Sequence, residues 1–274
     1  MPENQTPSQP ATTPQGAEVG PGILVTFEGG DGAGKTTHIT FLADYLRSQG
    51  REVLCLREPG GTAIGEQLRS IVLDPANGGM CDETELLIYE AARAQIMKEV
   101  IVPALARGAV VLLDRFYDST IAYQVFGRGL PESFVRQANA FACQGVHPCR
   151  TILLSTEQPA EEGLKRATKH GDADRLEQAG ADFHARVAVG FKRVAQDNPD
   201  RVRTVNSSTP KPVTARNIFL QLQDVFGWSD DDPVWQPGFF DSILERSTAS
   251  KAKVPTAPDA APGDVSSSTN QKGL

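Results

Sequence analysis

The chain has 274 residues, of which 39% are hydrophobic, and a formal net charge of −7. Such a charge argues against nucleic acid or an anionic membrane as a partner, but not against a local basic pocket for a nucleotide. No apolar run is long enough to span a membrane, the N-terminus lacks a hydrophobic signal core, and four cysteines without a C-x-x-C pair favour reduced thiols in the cytoplasm.

The two ends of the chain differ in composition from its centre. Residues 1–20 and 246–274 contain no aromatic side chain and are rich in Pro, Ser, Thr and Ala. They cannot bury enough apolar surface to offset the entropy lost on ordering, so we predict a disordered N-terminal arm and a disordered C-terminal tail. Between them we expect one domain over 21–227, and the Trp and Phe residues of an extension at 228–245 predict a packed helix there.

Short β-branched segments alternate with helical patterns through the predicted domain. Strands are predicted at 23–28, 53–56, 110–114, 151–154 and 201–205, and helices at about 35–48, 62–73, 83–106, 131–143, 160–168, 180–196 and 212–226. The alternation predicts an α/β fold with a parallel β-sheet flanked by helices on both faces. Because ligands of such sheets bind at the carboxyl ends of the strands, the polar residues after each strand are candidates for a site.

The first predicted strand is followed by Gly-Gly-Asp-Gly-Ala-Gly-Lys-Thr-Thr, which contains the pattern G-x-x-x-x-G-K-[ST]. The loop's backbone N–H groups can point at phosphate oxygens, Lys35 brings a cation to the β- and γ-phosphates, and the Thr36 hydroxyl can ligate Mg²⁺. The dipole of the following helix favours the same anion. The pattern predicts a P-loop NTPase fold that binds a nucleoside triphosphate. The predicted binding residues are Gly29, Gly30, Asp31, Gly32, Ala33, Gly34, Lys35, Thr36 and Thr37.

Candidate groups for a second ligand follow the second strand. Arg57 opens the turn Arg-Glu-Pro-Gly-Gly-Thr, which by itself is also compatible with an ordinary surface turn. Tyr89 and Arg93 lie four residues apart on one face of a predicted helix, where a ring can stack on a planar base and a guanidinium can bond its edge. The alternative interpretation is a core tyrosine beside a surface arginine.

The third strand ends in Asp114, which is typical of a Walker-B carboxylate that holds Mg²⁺. An aspartate that caps the following helix is the alternative. Arg115 can direct a guanidinium at a phosphate in the same cleft. Thr120 and Gln124 share a helical face, with Ser119 adjacent, and offer hydroxyl and amide groups to a base or sugar.

Residues 163–177 form a cation-rich segment around a glycine. Its composition fits a solvated helix end. It fits equally a mobile lid that brings cations over a transferring phosphoryl group.

Taken together, these segments resemble the thymidylate kinase family over residues 22 to 227. The matching segments are Phe27 to Thr37, Arg57 to Thr62, Ala91 to Arg93, Asp114-Arg115 with Ser119 to Gln124, Gly-Arg-Gly at 127–129, Gly163 to Arg166 and Asp174 to Glu177. The resemblance implies transfer of the ATP γ-phosphoryl group to dTMP, giving ADP and dTDP for dTTP synthesis, with Mg²⁺ and usually as a homodimer.

The resemblance also implies roles for individual residues. Arg57 and Arg115 would bind the acceptor phosphate, Tyr89 would stack on thymine, and Arg93 and Gln124 would bond the base edge. The residues implied to line the acceptor pocket are Pro59, Arg69, Leu73, Ser119 and Thr120, with Asp31 near the deoxyribose or phosphates. Metal binding would fall to Thr36 and Asp114, and catalysis to Lys35, Arg115, Arg166 and Lys169.

The phosphate loop has no arginine between Gly29 and Lys35, which resembles the bacterial branch of the family with its catalytic cation in the lid. Candidates for this cation are Arg166, Lys169 and Arg175. Two other interpretations remain: a kinase of another pyrimidine nucleotide, and a P-loop switch protein. The predicted acceptor pocket and the absence of an Asn-Lys-x-Asp motif argue against the switch protein.

Overall fold

A five-stranded parallel β-sheet forms the centre of the structure, a computed structural model that describes residues 21–156 and 173–244. The strands are β1 Ile23–Glu28, β2 Val53–Arg57, β3 Val110–Asp114, β4 Arg150–Ser155 and β5 Val202–Asn206. Their order across the sheet is β2-β3-β1-β4-β5. Asp114 lies opposite Phe27 of β1 on one side and Arg57 of β2 on the other. The polar residues that follow β1, β2 and β3 therefore meet at one edge of the sheet.

Helices connect the strands throughout the described residues. In chain order they are α1 Lys35–Ser48, α2 Ala63–Leu73, α3 Asp82–Ile96, α4 Val102–Ala106, α5 Tyr117–Thr120, α6 Glu132–Cys143, α7 Ala181–Asp197 and α8 Lys211–Phe226. A π-helical segment, Met97–Ile101, joins α3 to α4, and a second one, Ile121–Gly127, continues α5. Short 3₁₀ turns cover Pro75–Asn77, Glu177–Ala179 and Pro233–Trp235. None of the helices among these residues is long and apolar enough to cross a membrane.

The apolar side chains of β1 alternate between the two faces of the sheet, as the two-residue period of a strand requires. Val25 and Phe27 pack with residues of α1 and α8, whereas Leu24 packs with Ile96 and Ile101 from the α3–α4 region. Both faces are therefore covered by helices. The predicted α/β fold is confirmed.

Two local features explain how the chain enters the first helices. Gly29 has φ 125°, and a Cβ at this position would lie 2.2 Å from the carbonyl oxygen of Leu154, so β1 can end beside β4 only with glycine there. Thr62 caps α2 by accepting a 2.9 Å hydrogen bond from the N–H of Gly65. Both features place a loop at the carboxyl edge of the sheet.

The predicted elements agree closely with the observed ones, with two differences among the described residues. The helix expected over 83–106 contains the π-helical segment Met97–Ile101, and the helix over 117–127 was not among the predicted elements. Its β-branched and aromatic residues give a weak helical signal, and its π-helical part departs from the 3.6-residue period. The helix predicted at 160–168 lies outside the described residues.

The packed helix predicted at 228–245 is corrected by the described part of this extension. Trp228, Val234, Phe240 and Ile243 are buried against the domain, but the backbone consists mainly of turns and becomes α-helical only at 242–244. Two prolines and Gly238, which has φ 83°, interrupt any continuous helix. The aromatic composition therefore indicated the packing correctly but not the backbone conformation.

We predict that the extension contributes to the stability of the whole domain. Trp228 stacks on Phe219 and Phe226, with both ring centroids 5.0 Å away. Trp228→Ala should lower the free energy of unfolding by about 3–5 kcal/mol, because it leaves a large cavity in the core. Urea unfolding measures the change, with the half-exposed Leu244→Ala as control. A Trp228→Ala loss no larger than that of Leu244→Ala would contradict the prediction.

Candidate active site

A cavity of about 1040 Å³ opens at the carboxyl edge of the sheet. It is bordered by the loop after β1, the turn after β2, the residues after β3 and the loop after β5. The predicted site residues that line it are Asp31, Gly32, Ala33, Gly34, Lys35, Thr36, Thr37, Arg57, Pro59, Arg69, Leu73, Tyr89, Arg93, Asp114, Arg115, Ser119, Thr120 and Gln124. The fold therefore brings together residues that are up to 93 positions apart in the sequence, from Asp31 to Gln124.

The loop after β1 wraps around the ammonium group of Lys35. Its Nζ donates hydrogen bonds to the carbonyl oxygens of Gly29 at 3.2 Å and Gly30 at 3.0 Å, and these two glycines complete the loop without lining the cavity. Gly34 has φ 94° and ends the loop directly before α1. Burial and the nearby charge of Arg115 lower the pKa of Lys35. The loop thus presents a cation and a helix N-terminus to one side of the cavity, which suits a polyphosphate.

Thr36 and Asp114 meet at the base of this loop. The Thr36 hydroxyl donates a 2.9 Å hydrogen bond to Oδ2 of Asp114. The alternative role of Asp114 as a helix cap is excluded, because Phe116 occupies the cap position of α5. No group of three or more His, Cys, Asp or Glu side chains that could hold a metal occurs in the described ranges. A hydroxyl beside one carboxylate still fits Mg²⁺, which takes its other ligands from water and phosphate oxygens.

Arg115 is one of the cations that line the cavity. Its guanidinium forms an ion pair with Asp31, donates to the hydroxyl of Ser119 at 3.2 Å and lies 5.3 Å from the ring centroid of Tyr123. Burial alone raises the pKa of Asp31, but the charges of Arg115 and Lys35 lower it to about 2. The Asp31 carboxylate is therefore ionised at neutral pH and holds Arg115 in place.

A second carboxyl group, Glu28, supports the backbone under Arg115. It accepts hydrogen bonds from the N–H of Phe116 at 2.7 Å and from the hydroxyl of Ser119 at 2.5 Å. Burial and the neighbouring charge of Asp118 raise the pKa of Glu28 to about 8. Arg115 itself has φ 70°, a left-handed conformation that is uncommon for a non-glycine residue. These hydrogen bonds hold the segment that carries Arg115 in this conformation.

The turn after β2 forms a second wall with two arginines. Arg57 Nη2 donates to Glu66 at 2.8 Å, and Arg69 Nη1 donates to the carbonyl oxygen of Pro59 at 2.9 Å. The turn is therefore part of the cavity and not an ordinary surface turn. Its cations face the same space as Arg115.

Tyr89, Arg93 and Gln124 line the far end of this wall. Arg93 is only 2% exposed, which excludes the alternative of a surface arginine beside a core tyrosine. Its Nε donates to Glu58 at 2.8 Å, and its Nη1 donates at 2.8 Å to both Glu90 and Asn139. Nη2 carries two N–H groups and also contacts Glu58. Among the described residues, one N–H of Nη2 therefore remains for a ligand.

Some lining residues were not predicted from the sequence. His38 and the segment from Ser207 to Lys211 also line the cavity. The available signal was the position of Ser207 directly after β5, at the carboxyl edge where ligands bind. Glu58 and Glu85 were also not predicted as site residues. They bond Arg93 and Gln124, and the sequence patterns indicated residues that contact a ligand, not those that hold such residues in place.

Of the three candidates for the lid cation, only Arg175 lies among the described residues. Arg166 and Lys169 lie outside the described residues. Arg175 is buried, and its guanidinium donates to Glu85 at 2.6 Å and to the carbonyl oxygen of Val72 at 2.8 Å. Its role as a mobile catalytic cation is therefore wrong, because an arginine fixed by these bonds is a structural group.

Comparisons with known proteins agree with this geometry. The family model for thymidylate kinase matches residues 27–218. The thymidylate kinase of Lactobacillus delbrueckii subsp. bulgaricus is 48% identical over 203 residues, which cover 73% of this chain and 95% of that protein. The Alcanivorax borkumensis thymidylate kinase is 41% identical over 207 residues, or 76% and 99% of the two chains. The crystal structure of the Ehrlichia chaffeensis thymidylate kinase superposes with a TM-score of 0.60 at 30% identity, covering 75% of this chain and 100% of that one.

Proposed function

The chain belongs to the thymidylate kinase family, and from that premise we propose how the residues of the cavity divide between its two substrates. The reaction transfers the γ-phosphoryl group of ATP to dTMP and gives dTDP for dTTP synthesis. One observation carries the proposal. A phosphate loop and a separate set of cations and base-reading groups line the same cavity, which a P-loop switch protein does not require.

The donor is assigned to the loop after β1. Backbone N–H groups of residues 29–37 surround the β- and γ-phosphates, and Lys35 neutralises part of their charge. We assign the segment from Ser207 to Lys211, with His38, to the base of ATP, because these residues line the cavity and His38 lies on α1, directly after the phosphate loop. Phosphoryl transfer needs little covalent chemistry from the protein, so positioning and charge compensation account for most of the catalysis.

Mg²⁺ is assigned to Thr36 and Asp114. Their oxygens lie 2.9 Å apart at the foot of the phosphate loop, and both are hard ligands of the kind that Mg²⁺ prefers. When bound, the ion would neutralise charge that develops on the phosphate oxygens. The protein's own contribution is to hold the hydroxyl and the carboxylate together beside Lys35.

The acceptor is assigned to the opposite wall. Arg57 and Arg115 bind its phosphate, Tyr89 stacks on its base, and Arg93 and Gln124 bond the base edge. Burial and the charge of Glu85 raise the pKa of Tyr89, so its ring stays neutral as a stacking partner. The other acceptor-lining residues are Asp31, Pro59, Arg69, Leu73, Ser119 and Thr120. Because Arg115 pairs with Asp31 of the phosphate loop and also lines the cavity, we assign it to the transferring phosphoryl group as well.

The lid cation is assigned to Arg166, with Lys169 as the second candidate. The phosphate loop contains no arginine, and Arg175 is bound to Glu85. The charge that develops during transfer therefore needs a further cation besides Lys35 and Arg115. The segment around residues 163–171 supplies these two positions.

We also propose a homodimer and a cytoplasmic location. Five large apolar side chains on α2, α3 and α6 are exposed to solvent: Ile64, Ile71, Leu87, Phe134 and Phe141. Because α3 packs against both other helices, these side chains lie on neighbouring elements, and a second copy of the chain would cover them by two-fold symmetry. The four cysteines are free thiols, which supports a location in a reducing compartment such as the cytoplasm. Cell fractionation tests this location.

The proposed function is tested with purified protein, ATP, Mg²⁺ and a panel of nucleoside monophosphates. We expect dTMP to be the preferred acceptor, and chelation of the metal should stop the reaction reversibly.

Lys35→Ala should lower turnover by at least about 10²-fold without unfolding the protein, whereas the exposed Lys98→Ala should have no effect. Arg115→Ala should depress every acceptor alike. Substantial dTMP turnover by folded Lys35→Ala or Arg115→Ala would refute the assignment of that residue.

The lid assignment is tested by Arg166→Ala and Lys169→Ala at saturating ATP and dTMP. Loss of a cation that acts only in the transition state should lower the maximal rate by about 10²–10³-fold and change the KM for ATP little. Lys192→Ala, an exposed cation on α7, is the matched control. Rates near wild type in both lid variants would show that this segment is not catalytic.

The dimer is tested by light scattering after size exclusion. Wild-type protein should elute with the mass of two chains, and Phe141→Asp should shift it toward one, since Phe141 is 86% exposed and a buried aspartate is unfavourable. Val189→Asp on α7 introduces the same charge at an exposed apolar position outside α2, α3 and α6. A monomeric wild type, or a Phe141→Asp variant that remains dimeric, would reject this face as the interface.

A further inference from the structure

Glu85 is a fully buried carboxylate to which the assignments above give no role in substrate recognition. It lies on α3, one turn before Tyr89, and has no solvent exposure. Its Oε1 accepts from Gln124 Nε2 at 2.8 Å and from Arg128 Nε at 3.1 Å. Its Oε2 accepts from Arg128 Nη2 at 2.8 Å and from Arg175 Nη2 at 2.6 Å. Two guanidinium groups and one side-chain amide therefore converge on a single carboxylate.

These contacts keep Glu85 ionised. Burial alone raises the pKa of a carboxyl group, but the hydrogen bonds from Arg128 and Gln124 lower the pKa of Glu85 overall. An ionised carboxylate can only accept hydrogen bonds. Gln124 must therefore turn its NH₂ group toward Glu85, because the reversed amide would place a carbonyl oxygen against a negatively charged oxygen.

The orientation of the amide decides what Gln124 offers to the cavity. The side chain is only 1% exposed, yet it lines the cavity. With Nε2 committed to Glu85, the carbonyl oxygen Oε1 is left for a ligand, and none of the described residues donates a hydrogen bond to it. The orientation of the Gln124 amide is thus fixed, with its carbonyl oxygen as the acceptor for a ligand.

We propose that Glu85 is a positioning residue for base selection, which locks the Gln124 amide so that the site accepts a base carrying a ring N3–H and rejects cytosine. The inference rests on the proposed contact between Gln124 and the base edge. Thymine and uracil present a donor at N3 beside the acceptor O4, whereas cytosine presents an acceptor at N3 beside the amino group at C4. Oε1 therefore pairs with the first two bases and repels the third. Arg93, which offers only donors, favours O4 over the amino group for the same reason.

The first measurement needs no variant. Wild-type kcat/KM is determined for dTMP, dUMP and dCMP, since dUMP shares N3–H with dTMP but lacks the methyl group. We expect kcat/KM for dUMP to exceed that for dCMP by at least about tenfold. The reason is that dCMP would place the acceptor N3 of cytosine against the carbonyl oxygen of Gln124, and buried polar groups without a matching partner discriminate strongly. Equal use of dUMP and dCMP would overturn the proposal. Failure to phosphorylate dTMP at all would instead refute the proposed function.

The second measurement uses Glu85→Gln. The new carboxamide can accept from the Gln124 NH₂ or donate to its carbonyl, so both amide orientations become available. The ratio of kcat/KM for dUMP over dCMP should fall by about tenfold relative to wild type. The double variant Glu85→Gln with Gln124→Glu restores the hydrogen bond and presents only acceptor oxygens to the base, so it should recover the ratio. An unchanged ratio in folded Glu85→Gln would overturn the proposal.

Arg128→Gln separates positioning from structural support. It removes one cation from Glu85 but leaves the carboxylate facing Gln124 and still paired with Arg175. Its melting temperature should fall while the dUMP over dCMP ratio stays within about twofold of wild type, a shift below about 0.4 kcal/mol. A ratio that falls as far in Arg128→Gln as in Glu85→Gln would mean that Glu85 acts only as a structural anchor.

Discussion

Several arginines in or next to the cavity are held by carboxylates, whereas Lys35 and Arg69 donate to backbone carbonyl oxygens. Asp31 pairs with Arg115, Glu58 and Glu90 pair with Arg93, and Glu85 pairs with Arg128 and Arg175. Removing a charge from water is costly unless a partner compensates for it, so the protein can concentrate this much positive charge only by burying acids next to it.

The parallel sheet determines which charges meet. Because Asp114 lies between Phe27 and Arg57 in register, the loop after β1, the turn after β2 and the residues after β3 must all border the same space. Buried hydrogen bonds then fix the details. Glu28 holds the backbone around Arg115, and Arg69 holds Pro59 through its carbonyl oxygen. The protein's own hydrogen bonds thus position groups that line the cavity, and such fixed geometry reduces the entropy lost in reaching a reactive arrangement.

The buried acids also have different functions. Asp31 lines the cavity and forms an ion pair with Arg115, whereas Glu85 has no exposure and bonds an uncharged amide. A guanidinium offers only donors, but a side-chain amide has a donor end and an acceptor end, so a neighbouring group must set its orientation. Under the proposal for Glu85, substrate choice at the base edge depends on a side chain that does not itself line the cavity.

The sequence by itself determined the sheet, the phosphate loop and most of the cavity-lining residues, because strand periodicity and the loop's glycines depend on local geometry. It also indicated Tyr89 and Arg93, since their spacing places them on one helix face. Tertiary structure decided what sequence spacing does not specify: that Arg93 is buried between Glu58 and Glu90, that Arg175 is fixed and not mobile, and that residues 228–244 pack as turns. Glu85 shows the reason most clearly. Its partners lie 39, 43 and 90 residues away, and whether a carboxylate is solvated or commits an amide to one orientation depends on which distant side chains surround it.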